Sequence, residues 1–133
     1  MTRILCLDDD SDVLKLLSLC LMRKGYDVVV TANSLEALDI LRTQSIDLLT
    51  QDFMRPDIHG IEFLQIMKSD AALRNIPVLG VSARPREIRA EELKQAGFDI
   101  DRDLAGYITK PFGPSELLNA VEAALSTHLS SRR

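Results

Sequence analysis

The chain has 133 residues, a net charge of −4 and a pI of about 5.1, with 46% hydrophobic and 27% charged residues. That composition is ordinary for a globular protein and supplies one domain with a full core, and the acidic balance gives no sign of a nucleic-acid-binding surface. No apolar stretch approaches membrane-spanning length and the N-terminus lacks the basic-then-apolar form of a signal peptide, so a cytoplasmic location is expected.

In chain order, Arg3–Leu7 is an apolar run of strand length. Asp10 or Ser11 can cap the helix that follows. Its expected inward face is Val13, Leu16, Leu17, Cys20 and Leu21, and Gly25 ends it. Asp27–Thr31 carries three consecutive valines and predicts a second strand. Asn33, with Glu36 three residues on, resembles a capping box for a helix bearing Ala37, Leu38 and Leu41. Ile46–Gln51 is the third strand. Gly60–Lys68 reads as a short helix with Ile61, Leu64 and Met67 inward. Pro77 opens the fourth strand, Val78–Val81, where its missing N–H does least harm. Arg86–Ala96 is a highly charged helix stopped by Gly97, and Ala105–Thr109 is the fifth strand. Pro114 stands in the first turn of a last helix whose apolar face is Leu117, Ala120, Val121, Ala124 and Leu125. Strands alternating with helices predict a parallel sheet covered on both faces. Residues 1–128 form one expected domain, and 129–133 a tail or the start of a linker. Cys6 and Cys20 lie in apolar segments and are expected as buried free thiols in a reducing compartment.

The chemistry gathers at strand ends. The first strand ends in Asp8-Asp9-Asp10, the third in Asp52, the fourth in Ser82 and the fifth in Lys110-Pro111. In open α/β sheets, ligands bind beyond the carboxyl ends of the strands. Taken singly, each of these residues is an ordinary turn, cap or surface side chain. Together, Asp8, Asp9 and Asp52 crowd three negative charges, which disfavours joint ionisation. A hard divalent cation relieves that repulsion, and an all-oxygen site suits Mg²⁺. A carboxylate nucleophile, a metal, an ammonium and a hydroxyl suit phosphoryl transfer, where the protein positions groups and neutralises charge.

Four pieces carry a resemblance: Ile4-Leu5-Cys6-Leu7-Asp8-Asp9-Asp10, Asp47–Asp52 with Met54, Pro56 and Gly60, Val81-Ser82-Ala83, and Tyr107-Ile108-Thr109-Lys110-Pro111-Phe112. The chain resembles the receiver domain of two-component response regulators over essentially its whole length. The resemblance implies a doubly wound, flavodoxin-like three-layer sandwich, with a five-stranded parallel sheet in the order 2-1-3-4-5. It implies that Asp52 accepts a phosphoryl group from a histidine kinase or histidine phosphotransfer protein. It further implies that Asp9 ligates Mg²⁺ directly, Asp8 mainly through water, and the Met54 carbonyl completes the protein ligands. Lys110 and Ser82 would then contact the phosphoryl oxygens, and Tyr107 would turn inward as the hydroxyl moves. Such a protein is a switch that takes part in its own phosphoryl transfer, and is not a conventional enzyme.

Several positions depart from the family pattern. Thr50 and Gln51 are more polar than usual before the acceptor, and Arg55 to Gly60 replaces a Met-Pro and small-residue loop. His59 is expected as a loop residue, and Gly113 stands where a capping Asp is common. Residues 98–106 form an insertion containing Asp99, Asp101 and Asp103. A calcium loop starting at Asp99 would need Gly and Glu where Leu104 and Lys110 stand, so a solvated acidic loop is expected. Reshaping of the face formed by the fourth helix, fifth strand and last helix predicts a monomer or a non-standard dimer. Two other readings compete. A phosphorylation-independent interaction module would not need the intact set Asp8, Asp9, Asp52, Ser82 and Lys110. A flavin-binding protein would need a phosphate-cradling loop where Asp8-Asp9-Asp10 stands.

Overall fold

The computed structural model describes residues 1–131, with side chains through Ser126. The sheet comprises β1 (Arg3–Leu7), β2 (Asp27–Thr31), β3 (Leu48–Gln51), β4 (Val78–Ser82) and β5 (Gly106–Thr109). It is parallel throughout in the order β2-β1-β3-β4-β5. The helices are α1 (Ser11–Arg23), α2 (Ser34–Thr43), α3 (Gly60–Ser69), α4 (Arg86–Gln95), α5 (Ile100–Asp103) and α6 (Pro114–Ser131). The tail expected over 129–133 overlaps the end of α6, and Arg132 and Arg133 lie outside the described residues. No described helix is long and apolar enough to cross a membrane.

Strand alternation divides the core. Ile4 and Cys6 of β1 join Leu48, Leu79, Val81 and Ile108 beneath α1 and α6. Leu5 and Leu7 face the other way, with Leu49, Phe53 and residues of α2 and α3. Burial pushes the Cys6 thiol up to about 12, so it is an inert hydrophobe, whereas Cys20 is only half-buried.

Local chemistry sets the helix starts. Asp10 caps α1 by accepting from the N–H groups of Asp12 and Val13. Asn33 accepts from Glu36 N–H at 2.9 Å to cap α2. His59 caps α3 by accepting from Ile61 N–H at 3.2 Å. Gly25 and Gly97 follow α1 and α4 at φ +89° and +90°, the left-handed conformation favoured by glycine.

Two further expectations are corrected. The inward ridge of α1 is Leu14, Leu17 and Leu21, while Leu16 is 38% exposed. Apolar residues stand at 13, 14, 16, 17 and 19–22, so the stripe wraps most of the helix and periodicity alone leaves its phase open. The second correction concerns residues 98–106, which are not a solvated loop. Asp99 caps the short helix α5, and Ile100 and Leu104 are buried with Leu73, Val78 and Leu93. The alternating aspartates spend their oxygens locally: Asp99 accepts from Asp101 and Arg102 N–H, and Asp103 accepts from Asp99 N–H.

Candidate functional site

Register brings the site residues together. Leu7 pairs with Gln51, so the next residues, Asp8 and Asp52, leave the sheet side by side. The Asp52 N–H donates to the Leu7 carbonyl at 3.0 Å. On the other side Ser82 pairs with Thr109, and the Lys110 N–H donates to the Ser82 carbonyl at 2.8 Å. Ligand oxygens of Asp8, Asp9 and Asp52 all lie within 4.8 Å of one another. Asp8 and Asp52 are buried and Asp9 is exposed, so the cluster opens to solvent at Asp9.

Lys110 Nζ lies 2.8 Å from Asp8 Oδ2 and 3.8 Å from Asp52 Oδ1. The closer contact is an ion pair without hydrogen-bond alignment, and this buried Asp8 oxygen accepts no hydrogen bond. A single ammonium thus faces several carboxylate oxygens. Burial raises the Asp52 carboxyl, the Asp8 charge raises it further, and Lys110 and the Met54 N–H act against both, leaving it at about 6. The Met54 N–H donates to Asp52 Oδ1 at 3.3 Å, while its side chain stands exposed. A buried carboxylate oxygen that accepts no hydrogen bond and faces only an ammonium, within an all-oxygen cluster, fits a hard divalent cation such as Mg²⁺.

The loop after β3 is built closely around Phe53. The Gly60 N–H donates to the Phe53 carbonyl at 2.9 Å, and a Cβ on Gly60 would come 2.5 Å from Phe53 Cα. Tyr107 packs over Gly80, where a Cβ would meet its ring at 2.7 Å, and its hydroxyl donates to the Arg84 carbonyl.

A family model for the response regulator receiver domain matches residues 4–122. The chain belongs to this family. Receivers are signalling modules of two-component phosphorelays, working with kinases or phosphotransfer proteins. Over 122 residues this receiver is 30% identical to the polar-differentiation response regulator DivK of Brucella anthropi, covering 92% of this chain and 94% of that protein. It is similar in structure to the chemotaxis response regulator CheY4 of Vibrio cholerae, with a TM-score of 0.82 and 26% identity over 94% of this chain and 99% of that one. The receiver domain of the Francisella response regulator 1452 gives a TM-score of 0.77 and 28% identity, covering 96% of this chain and 99% of that one.

Three residues around this receiver's site were not singled out as functional from the sequence. Gln51 is buried and donates from Nε2 to the Gly60 carbonyl at 2.7 Å, which ties the strand to the far end of the loop. The Arg55 side chain is fully buried, with its guanidinium 5.0 Å from the Phe63 ring centroid. Arg55 donates from Nη1 to the Asp52 carbonyl and from Nε to Ser34 Oγ at 3.1 Å. Arg89 is also fully buried, 4.8 Å from the centroid of Phe53 and 3.1 Å from Ser82 Oγ. For Gln51 and Arg55 the departures from the family pattern were the available signal. Nothing in the charged run Arg86–Gln95 marked Arg89 as buried.

Proposed function

We propose that this receiver takes a phosphoryl group onto Asp52 from the phosphohistidine of a kinase or phosphotransfer protein, in a Mg²⁺-dependent reaction. The observation that carries the reading is the placement of Asp52: a buried carboxylate within ion-pair distance of Lys110 and clustered with Asp8 and Asp9. An Asp52 oxygen forms a bond to phosphorus as the phosphorus–imidazole nitrogen bond breaks, and the imidazole keeps the electron pair. Asp9, Asp8, an Asp52 oxygen and the Met54 carbonyl would hold Mg²⁺, which would supply positive charge to the transferring group. Lys110 balances the anionic oxygens from the opposite side, and the Ser82 hydroxyl donates to them. Tyr107, bonded to the loop carrying Arg84, follows the movement of that loop and alters the surface offered to a downstream protein. The free thiols suit a reducing, cytoplasmic compartment.

The test is incubation with acetyl phosphate and Mg²⁺, with the modified residue located by mass spectrometry. Wild type should gain one acid-stable, base-labile phosphoryl group on Asp52, and chelation should abolish it. Equal incorporation by wild type and Asp52→Asn would remove Asp52 as the acceptor.

A further inference from the structure

A fully buried guanidinium is costly, and Arg89 is 0% exposed. Its charge is met at three places. Nη1 donates to Glu92 Oε2 at 3.2 Å, Nη2 donates to Ser82 Oγ at 3.1 Å, and the plane lies over Phe53. Nε has no partner. Glu92 also accepts from Arg84 Nη1 at 2.8 Å, so it serves two arginines on one wall of the site.

The consequence lies in the Ser82 hydroxyl. Its oxygen accepts from Arg89 Nη2 and also from the Arg84 N–H, at 3.3 Å. A hydroxyl has two acceptor lone pairs and one donor hydrogen. Both lone pairs of Ser82 are therefore filled, and it donates to no group among the described residues. Its backbone is fixed beside Lys110, whose N–H is bonded to the Ser82 carbonyl. A charged donor on a hydroxyl oxygen also polarises its O–H, which strengthens the hydrogen bond it can give.

We propose that Arg89 is a positioning residue that occupies a lone pair of Ser82 Oγ, so that the hydroxyl can act only as a donor to the phosphoryl oxygens on Asp52. The proposal rests on Asp52 being the acceptor. Arg89 is rigid enough for the task, because its planar fork is fixed by Phe53 and Glu92 at the same time.

The probe is beryllofluoride with Mg²⁺, read by fluorine NMR titration of the whole chain. Wild type should bind and Asp52→Ala should not. If wild type fails to bind, the acceptor assignment fails and this proposal falls with it. If wild type binds, Ser82→Ala and Arg89→Met should each bind about tenfold more weakly, the loss expected for one charge-assisted hydrogen bond. The double variant should bind no more weakly than Ser82→Ala, and Arg89→Lys should recover part of the loss. Unchanged affinity in Arg89→Met, or losses that add in the double variant, would overturn the role while leaving Asp52 as the acceptor. A second measurement needs no Arg89 variant to fold. The Arg89 guanidinium resonances should shift when beryllofluoride binds wild type, and should not shift in Ser82→Ala. Resonances that stay in place in bound wild type would overturn the proposal.

Discussion

Arg55 Nε donates to Ser34 Oγ at 3.1 Å, which joins the loop after β3 to the start of α2. Asp57 completes the link. It accepts from Ser34 N–H at 2.8 Å and Ser34 Oγ at 2.9 Å, and lies 3.8 Å from Arg55 Nε. The loop carrying the proposed metal-binding carbonyl of Met54 is thereby held from both ends, by Gln51 on Gly60 and by Arg55 on Ser34.

The two partners of this link should respond differently to removal. Asp57→Ala leaves a buried guanidinium without its counter-charge and should cost about 2 kcal/mol, less than for a fully buried pair because water reaches Asp57. Arg55→Met removes the buried charge together with its desolvation cost, fills similar space beside Phe63, and should cost under about 1 kcal/mol. Burial acts to raise the Asp57 carboxyl, but the bonds from Ser34 and Ile58 and the Arg55 charge outweigh it and hold it below the ordinary range. A depressed carboxyl stabilises the fold above its unfolded value of about 4, and that contribution fades as pH falls through the folded value. The difference between wild type and Asp57→Ala should therefore be flat from neutral pH to about pH 5 and shrink below about pH 4. Urea unfolding of the variants across this range checks both statements. A larger cost for Arg55→Met than for Asp57→Ala would contradict the charge argument.

Asp52 should show the opposite sign. Its carboxyl sits at about 6, raised above the ordinary 3.8. Ionising it without metal costs stability, and that cost is absent below about pH 4, grows to about pH 6 and is constant above. In chelator, Asp52→Asn should be more stable than wild type at pH 7.5, by on the order of 2 kcal/mol, with the gap closing at pH 4. Mg²⁺ should raise the Tm of wild type more than that of the variant. Thermal unfolding in chelator and in Mg²⁺ decides the matter, and an Asn variant less stable than wild type at pH 7.5 would mean that Asp52 is not a strained anion.

The frame of this site was readable from the chain, whereas its supports were not. Strand-end acids, lysine and serine announce themselves because a run of apolar residues fixes where each strand stops, and parallel strands bring those stops to one edge. Arg55 and Arg89 look like solvated side chains in sequence, since arginine is rarely fully buried. What buries them is tertiary: the ring faces of Phe63 and Phe53 and the partners Ser34, Asp57, Ser82 and Glu92 lie elsewhere in the chain. The phase of α1 was hidden for a different reason, an apolar stripe too wide to have one preferred side. In α5, three aspartates drew attention from the two residues that anchor it, Ile100 and Leu104.

Metal and phosphoryl roles should separate in titrations. Asp9→Ala removes a proposed ligand and should weaken Mg²⁺ binding at least about tenfold. Lys110→Ala should tighten it instead, because the ammonium 2.8 Å from Asp8 Oδ2 competes for the same oxygen. Ser82→Ala should leave metal affinity unchanged. Isothermal titration calorimetry suits the measurement, since the chain has no tryptophan to report binding. Comparable losses in all three variants would dissolve the division of roles.

The segment 98–106 should behave as core and not as an appendage. Leu104 is 4% exposed and Ile100 is 8% exposed, and both pack with residues of β4 and α4. Leu104→Ala removes most of a buried side chain and should cost about 2–4 kcal/mol, the upper end applying if the surrounding leucines cannot close the gap. Asp101 pairs with Arg86, but its side chain is 80% exposed, so Asp101→Ala should change stability by less than about 0.5 kcal/mol. Replacing the whole segment with a tight turn should be as damaging as Leu104→Ala or worse, because it uncovers Leu73, Val78 and Leu93 together. Chemical denaturation of the three variants ranks them. If the shortened chain were as stable as wild type, the helix would be ornament, and the acidic residues of α5, not its two apolar anchors, would be the place to look for its purpose.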